Sequence, residues 1–201
     1  CAAASRMCSD TAFMPVSREP GEQKRMLFRR DFGGYTGGHG KVHDYFEHTR
    51  AHPYWSPRVF VTPSSVFVEN PWATDDARVQ DFRPEDANAL FLGGMDWADY
   101  PHDHADTPVI NLVQHVRHAD PAQPLSRFLL RRAIRICVSK PVADAILATG
   151  RVRGPVLVIE AALNLPAIPD QGTRHGIFID AIKQPDAGRR LAAALGNHRV
   201  R

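Results

Sequence analysis

The chain has 201 residues, of which 43 % are hydrophobic and 23 % are charged, a composition typical of a folded globular protein. No apolar run approaches the ~20 residues that a membrane-spanning helix needs, so the sequence predicts no such helix. The net charge of +3 divides into −5 for residues 1–116 and +8 for residues 117–201. The basic second half indicates an anionic partner. Nucleic acid is not expected, because the basic residues are not interleaved with aromatic side chains and no nucleic-acid-binding motif occurs.

The start of the chain is polar, and residues 1–25 are predicted to be a loose lead-in. The chain begins with Cys1 rather than Met, which indicates a fragment or a processed form. The cysteines are Cys1, Cys8 and Cys137, an odd number without metal-binding spacing. A reduced, cytoplasmic protein is therefore predicted.

The first predicted strand, at about 26–31, leads into five glycines within eight residues and then into a helix at 41–52. The glycines are Gly33, Gly34, Gly37, Gly38 and Gly40. In a strand, glycine loop and helix, backbone N–H groups can meet an anionic ligand, although the same loop can be a flexible turn. The spacing fits neither a P-loop nor the G-x-G-x-x-G pattern.

Strands and helices alternate along the rest of the chain. Strands are predicted at 58–63, 89–94, 109–115, 135–138 and 155–160, and helices at 124–134 and from Ser139 to about Gly150. Residues 63–88 are expected to form loops and a short helix. Because most of these strands are apolar runs, the pattern predicts an α/β fold with a Rossmann-like parallel sheet.

A linker rich in proline, at 165–175, separates a domain at 26–164 from a second unit at 176–201. The second unit is expected to contain one strand and one helix, which is too little to form a core of its own.

Several segments in a fixed order resemble a known family. LFLGGMDW and VINLVQHVRHADP precede AIRICVSKPVADAILATGRVRGPVLVI, in which a strand ending in Val138-Ser139 is followed by a helix and a Gly154-Pro155-Val156 strand. This order, over about residues 26–183, resembles the N-terminal domain of GT-B glycosyltransferases of the glycogen-synthase-like superfamily. The resemblance implies an acceptor-side Rossmann-like domain followed by a truncated second Rossmann domain.

The same resemblance implies transfer of a sugar from a nucleotide-sugar donor to a hydroxyl acceptor, in glycan or glycolipid synthesis and without a metal or other cofactor. The chain departs from the family at Glu160-Ala161-Ala162, where members usually have Pro-Asn-Gly, and residues 176–201 contain no E-x7-E pair. Lys183 lies near the expected position of a donor-phosphate lysine. The chain is therefore expected to hold the acceptor half of a site and to be inactive alone.

The resemblance implies that backbone N–H groups of the glycine loop approach the substrates, which selects Gly37, Gly38, His39 and Lys41. The other candidates follow from the rule that ligands of open α/β sheets bind outside the carboxyl ends of the strands. A histidine of near-neutral pKa at a strand end can orient or deprotonate a hydroxyl, so His115 and His118 are the catalytic candidates. Each also has a plainer explanation as a surface or capping residue. The substrate-binding candidates are Gly37, Gly38, His39, Lys41, Asp96, Trp97 and Arg117, and the rule also selects Gly93 and Gly94.

Two further patterns leave alternatives open. His102, Asp103, His104 and Asp106 could bind a metal, but their Pro-flanked acidic segment favours a solvated loop. Four arginines in and directly after the predicted helix at 124–134 could contact an anionic membrane or simply cover the sheet; they are Arg127, Arg131, Arg132 and Arg135. The alternative functions are a non-catalytic module that pairs with a separate donor-binding chain and a metal-dependent hydrolase that uses the His102/His104 loop.

Overall fold

A computed structural model of the chain describes residues 23–100, 106–160 and 184–196, together with Ile177 and Ile179. The chain divides into two compact units, Cys1–Ala161 and Ala162–Arg201. The predicted linker at 165–175 lies outside the described residues, as do Lys183 and His102, Asp103 and His104. None of the described helices is long and apolar enough to cross a membrane.

One sheet of seven parallel strands organises the first unit. The strands are β1 Lys24–Arg30, β2 Trp55–Val61, β3 Arg78–Val79, β4 Ala89–Gly93, β5 Val109–Val113, β6 Ile134–Cys137 and β7 Val156–Val158. Their spatial order is β3-β2-β1-β4-β5-β6-β7, so β1 has β2 on one side and β4 on the other. This order is that of a Rossmann-like sheet, and the predicted α/β class is confirmed.

Both faces of the central strands are buried, as expected for a parallel sheet covered on two sides. All five residues of β4 are buried, as are the last five of β1. The rings of Phe28 and Phe91 stack with their centres 4.7 Å apart on one face of the sheet, whereas Leu27 and Leu90 point to the opposite face. This alternation follows from the two-residue period of a strand.

The first helix covers one face of the sheet and begins earlier than predicted. Helix α1 spans Gly37–Ala51 and buries Val42 and Phe46, each side chain contributing about 1.5–3 kcal/mol by burial. Thr36 is the N-cap residue, and its hydroxyl accepts a hydrogen bond from the N–H of His39 at 3.3 Å. The predicted start at 41 is therefore wrong, and Gly37, Gly38 and Gly40 belong to the helix rather than to a loop. The helix can begin four residues nearer the N-terminus because the Thr36 cap satisfies a first-turn N–H group.

The later helices follow the sequence pattern more closely. Helix α2 spans Lys140–Ala148, and Gly150 follows it with φ +64°, as its predicted role as a helix stop requires. Ser139 occupies the N-cap position, but its side chain makes no capping hydrogen bond with any described residue. In the second unit, helix α3 spans Pro185–Ala194.

The predicted helix at 124–134 is wrong. Residues Pro124–Leu130 form a 3₁₀ helix, and β6 begins at Ile134. The N–H of Ala133 donates to the carbonyl of Arg153, so the backbone turns to β pairing where an α-helix would continue. Further 3₁₀ helices lie at Pro84–Asp86, Gly94–Asp99 and Val116–Ala119.

The predicted basic face on this segment is wrong as well. Arg135 lies in β6 with no exposed surface, and Arg131 lies half-buried and donates to the carbonyls of Trp97 and Tyr100. Arg127 and Arg132 remain exposed. The four arginines therefore do not share one solvent-facing stripe.

Candidate functional site

The strand order reverses between β1 and β4, and a cavity of about 300 Å³ opens at the carboxyl ends of the strands there. At such a switch point the connections on either side run in opposite directions and leave a crevice, which is where open α/β sheets bind ligands. The cavity is lined by the segments that follow β1, β4 and β5.

Another cavity, of about 340 Å³, lies at the amino end of β1, beside Gln23, Lys24 and Arg25. It is larger, but we assign the site to the carboxyl edge. There the helix N-terminus, three histidines and the buried Arg30 and Asp96 converge, whereas the titratable groups that line the cavity at the amino edge, Lys24, Arg25 and Asp86, are exposed.

The structure brings six of the predicted site residues together around the cavity at the carboxyl edge. They are Gly38, His39, Asp96, His115, Arg117 and His118. Lys41 lies further along α1, with Nζ 3.2 Å from Asp44, and Gly37 opens the helix. Trp97 is 1 % exposed and packs against Tyr100 and Phe128, so the structure places it in the core beneath the cavity rather than on its surface.

A buried ion pair joins the two strands that flank the switch point. Arg30, at the end of β1, places Nη1 2.6 Å from Oδ2 of Asp96, and that oxygen also accepts from the N–H of Gly93 at 3.0 Å. Arg29 approaches the other carboxylate oxygen at 3.5 Å. Burial raises the pKa of Asp96, and Arg30 acts against that shift. The carboxylate is fully engaged by these donors, and it positions the guanidinium of Arg30.

The second amino group of Arg30 fixes the state of His39. Nη2 of Arg30 lies 2.8 Å from Nδ1 of His39. A guanidinium can only donate, so Nδ1 must accept and the ring proton of the neutral imidazole sits on Nε2. Burial, and next to it Arg30, lowers the pKa of His39. His39 therefore lines the cavity as a neutral ring whose second nitrogen is a donor.

The segment after β5 adds two more histidines. His115 caps the 3₁₀ helix Val116–Ala119, and its Nδ1 accepts from the N–H of Arg117 at 3.0 Å, so its neutral ring also carries the proton on Nε2. His118 is only 5 % exposed, and burial, reinforced by the nearby Arg135, lowers its pKa to about 4. No described group hydrogen-bonds the His118 ring, which is neutral at pH 7.

A side-chain bridge ties the same segment to α1. Gln114 follows β5 and donates from Nε2 to the carbonyl of Gly38 at 3.2 Å. This bond holds the first turn of α1 against the end of β5. It also leaves Oε1 of Gln114 as an acceptor at the cavity.

The sequence reasoning placed Arg135 on a basic helical face and did not identify it as a buried cation near the cavity. Its guanidinium donates to Oδ1 of Asn111 at 2.6 Å and lies 5.5 Å from the centre of the Trp97 ring. It also donates to the carbonyls of Phe128, Leu129 and Arg131. Burial lowers the pKa of Arg135 to about 10, so it stays charged at pH 7. A polar pair directly opposite each other on two apolar strands, Asn111 and Arg135, is the signal that could have revealed it.

The rim of the cavity carries one carboxylate, Asp31. Hydroxyl groups of Thr62 and Ser64 donate to its Oδ1 at 2.7 and 3.0 Å. The Thr62 hydrogen bond is the largest cause of the lowered pKa of Asp31. Asp31 is therefore ionised, with one carboxylate oxygen occupied by internal donors.

Within the described residues, no group of three or more His, Cys, Asp or Glu side chains could hold a metal ion. The His102/His104 alternative rests on residues outside that part of the chain and stays a hypothesis. Comparison of the chain with protein-family models, with curated proteins and with solved structures finds no match.

Proposed function

We propose that the chain is the acceptor-side domain of a glycosyltransferase, with the beginning of its donor-side domain, and that it places an acceptor hydroxyl for attack on a nucleotide-sugar. The observation that carries the proposal is the cavity at the β1/β4 switch point, where Gly38, His39, His115 and His118 meet. The sequence resemblance supplies the reaction class. The seven-stranded parallel order agrees with a Rossmann-like half of such an enzyme.

Sugar transfer requires a hydroxyl held in line with the reacting carbon and stabilisation of the charge that develops on the departing diphosphate. Neutral His118 suits the first task, because it lines the cavity and has no partner among the described groups. A pKa of about 4 makes it a weak base, so we expect it to orient the hydroxyl more than to remove its proton. His115 presents Nε2–H and suits an oxygen acceptor.

The donor phosphates would lie toward the N-terminus of α1, where Gly37 and Gly38 expose backbone N–H groups and Lys41 follows one turn later. From the sequence resemblance, Lys183 is proposed as a donor-phosphate lysine. We propose a cytoplasmic location for the reaction. Of the four arginines proposed to contact an anionic membrane, Arg127 and Arg132 are the exposed ones.

The test is a thermal-shift titration of the purified chain with neutral and charged hydroxyl compounds and with nucleotide sugars. A ligand that binds the folded state raises the melting temperature, by an amount set by RT ln(1 + [L]/Kd). We expect hydroxyl compounds to give the larger shift and nucleotide sugars a smaller one. His115→Ala should abolish the hydroxyl-compound shift.

His48→Ala is the matched control, because His48 is an equally exposed histidine on α1 that bonds only to the carbonyl of Asp44. A shift that is lost in both variants, or in neither, contradicts the assignment of the cavity to the acceptor. Absence of any shift with hydroxyl compounds contradicts it too.

A further inference from the structure

The cavity presents hydrogen-bond donors far more than acceptors, and we infer that the acceptor carries an oxyanion, a phosphate or a carboxylate, besides its reacting hydroxyl. The inference rests on the proposed function, since it names the class of molecule that the same site would take. The atoms of the lining groups that are already hydrogen-bonded determine what the remaining atoms can bind.

Two histidines are fixed as donors by their neighbours. Arg30 donates to Nδ1 of His39 at 2.8 Å, and the N–H of Arg117 donates to Nδ1 of His115 at 3.0 Å. Neither donor can reverse its role, so each neutral ring keeps its proton on Nε2. The nitrogen that each ring retains for a ligand is an N–H group. Burial, and next to it the guanidinium of Arg30, also lowers the pKa of His39.

Three of the four carboxylate oxygens near the cavity are already engaged by described donors, the exception being Oδ2 of Asp31 on the exposed rim. Oδ2 of Asp96 accepts from both Arg30 and Gly93. Oδ1 of Asp31 accepts from two hydroxyl groups. A neutral polyol donates as well as accepts and is best bound where side-chain oxygens are available to it. An oxyanion only accepts, and it suits a wall of N–H groups.

The charge balance points the same way. The cavity is lined by two carboxylates, Asp31 and Asp96, and by two guanidinium groups, Arg30 and Arg117, so these charges match in number. Arg135 is then left over, with no exposed surface and with only neutral oxygens as its hydrogen-bond partners among the described residues. Its positive charge acts on His118, a cavity-lining residue, through a poorly solvated interior where charges interact strongly. A buried surplus cation therefore favours an anion in the cavity.

His118 adds a further contact for a ligand. It lines the cavity, and no hydrogen bond joins its ring to another described residue. A ligand atom in the cavity would give the ring a hydrogen-bond partner. Oε1 of Gln114, whose Nε2 is bonded to Gly38, is available to accept from the hydroxyl of the same ligand.

The binding test compares a neutral polyol with its charged relatives: glycerol, glycerol 3-phosphate, glycerate, inorganic phosphate and a nucleoside diphosphate, each titrated into the purified chain. We expect glycerol 3-phosphate or glycerate to bind at least about tenfold more tightly than glycerol, and the difference to shrink at high salt. Phosphate ester and carboxylate are separate arms, so the preferred oxyanion is read directly.

Arg117→Gln should weaken binding of the preferred anion about tenfold and leave glycerol unchanged. Arg127→Gln is the control, because it removes the same charge from an exposed arginine that stacks on Phe128. Equal binding of glycerol and the anions overturns the inference while leaving the proposed function standing. The inference is also overturned if inorganic phosphate or the nucleoside diphosphate binds more tightly than both glycerol 3-phosphate and glycerate, because the anion would then not belong to an acceptor.

The ring states provide an independent readout that needs no ligand. Long-range ¹H–¹⁵N NMR correlations of the histidine rings, assigned with His39→Gln and His115→Gln, should show Nδ1 as the unprotonated nitrogen in both residues. A proton on Nδ1 of either ring in the neutral form would contradict the inference. Glycerol binding would be unaffected by that outcome, so the two ideas fail separately.

Discussion

Arg30 and Asp96 form a buried ion pair at the β1/β4 switch point, where the strand order reverses. Arg30 is 7 % exposed and Asp96 is 4 % exposed, so water solvates neither charge well. A buried pair of this kind adds modest net stability when intact, but loss of one partner leaves the other charge uncompensated. The pair also sets the orientation of His39, which shares the same guanidinium.

We therefore expect Asp96→Asn to lower the free energy of unfolding by about 3–5 kcal/mol, as measured by urea denaturation. The control is Asp144→Asn, which breaks the exposed pair with Lys140 and should cost less than about 1 kcal/mol. Similar losses in the two variants would show that the interior pair is not the special one.

His118 makes stability depend on pH between about 6.5 and 4. Its pKa of about 4 in the folded chain lies below the ordinary 6.5, so between these values the unfolded chain binds a proton that the folded chain does not. Stability from this group is complete above pH 6.5 and is lost as the pH falls to 4. Asp31 and Asp75 have lowered pKa values and act only below about pH 4.

Urea unfolding at a series of pH values between 7 and 4.5 measures this dependence. We expect the wild-type chain to lose up to roughly 3 kcal/mol across the window, with His39 acting in the same direction. His118→Gln should flatten most of the slope. A variant whose stability falls as steeply as the wild type would show that His118 is not the group responsible.

The connection from α2 into β7 depends on the absence of a side chain at one residue. Gly154 has φ +107°, and a Cβ atom there would lie 2.2 Å from the carbonyl oxygen of Ala133. The flanking residues are bonded to the start of β6, since Arg153 and Pro155 accept from Ala133 and Arg135. The backbone cannot move away without breaking that pairing.

Gly154→Ala should therefore destabilise the chain by more than about 2 kcal/mol in thermal or urea unfolding. Gly150→Ala is a close control, because Gly150 also has a positive φ, +64°, but a Cβ atom there would meet nothing within 4 Å. We expect about 1 kcal/mol for that change. If the two substitutions cost the same, the contact with Ala133 is not what constrains the turn.

At the scale of elements, the sequence predicted best where periodicity and burial agree. The apolar runs of β4 and β5 were located to within two residues. The segment at 124–134 failed because arginines spaced four apart imitate a helical face. The last of them, Arg135, instead lies in β6 opposite Asn111 on β5 and donates a hydrogen bond to its side chain. This pairing depends on a neighbouring strand, so local periodicity cannot predict it.

At the scale of the molecule, the strand alternation was enough for the fold class, and the strand-end rule selected the loops that line the cavity. It was not enough for Arg30. That side chain matters because β1 lies beside β4, a pairing set by contacts far apart in the chain. Trp97 shows the converse, since its position after a strand was right but burial beneath Phe128 could not be read locally.

The strand order also has a consequence for how the chain is made. β1 pairs with β2 on one edge soon after both leave the ribosome, but its other edge pairs with β4, and Met26 must wait for Ala89. During that interval an apolar strand edge, Met26-Leu27-Phe28, has open N–H and C=O groups and can associate with other chains. β1, whose last five residues are buried in the finished sheet, thus keeps one edge unpaired until β4 is made, and its escape from aggregation depends on how quickly residues up to Gly93 are synthesised.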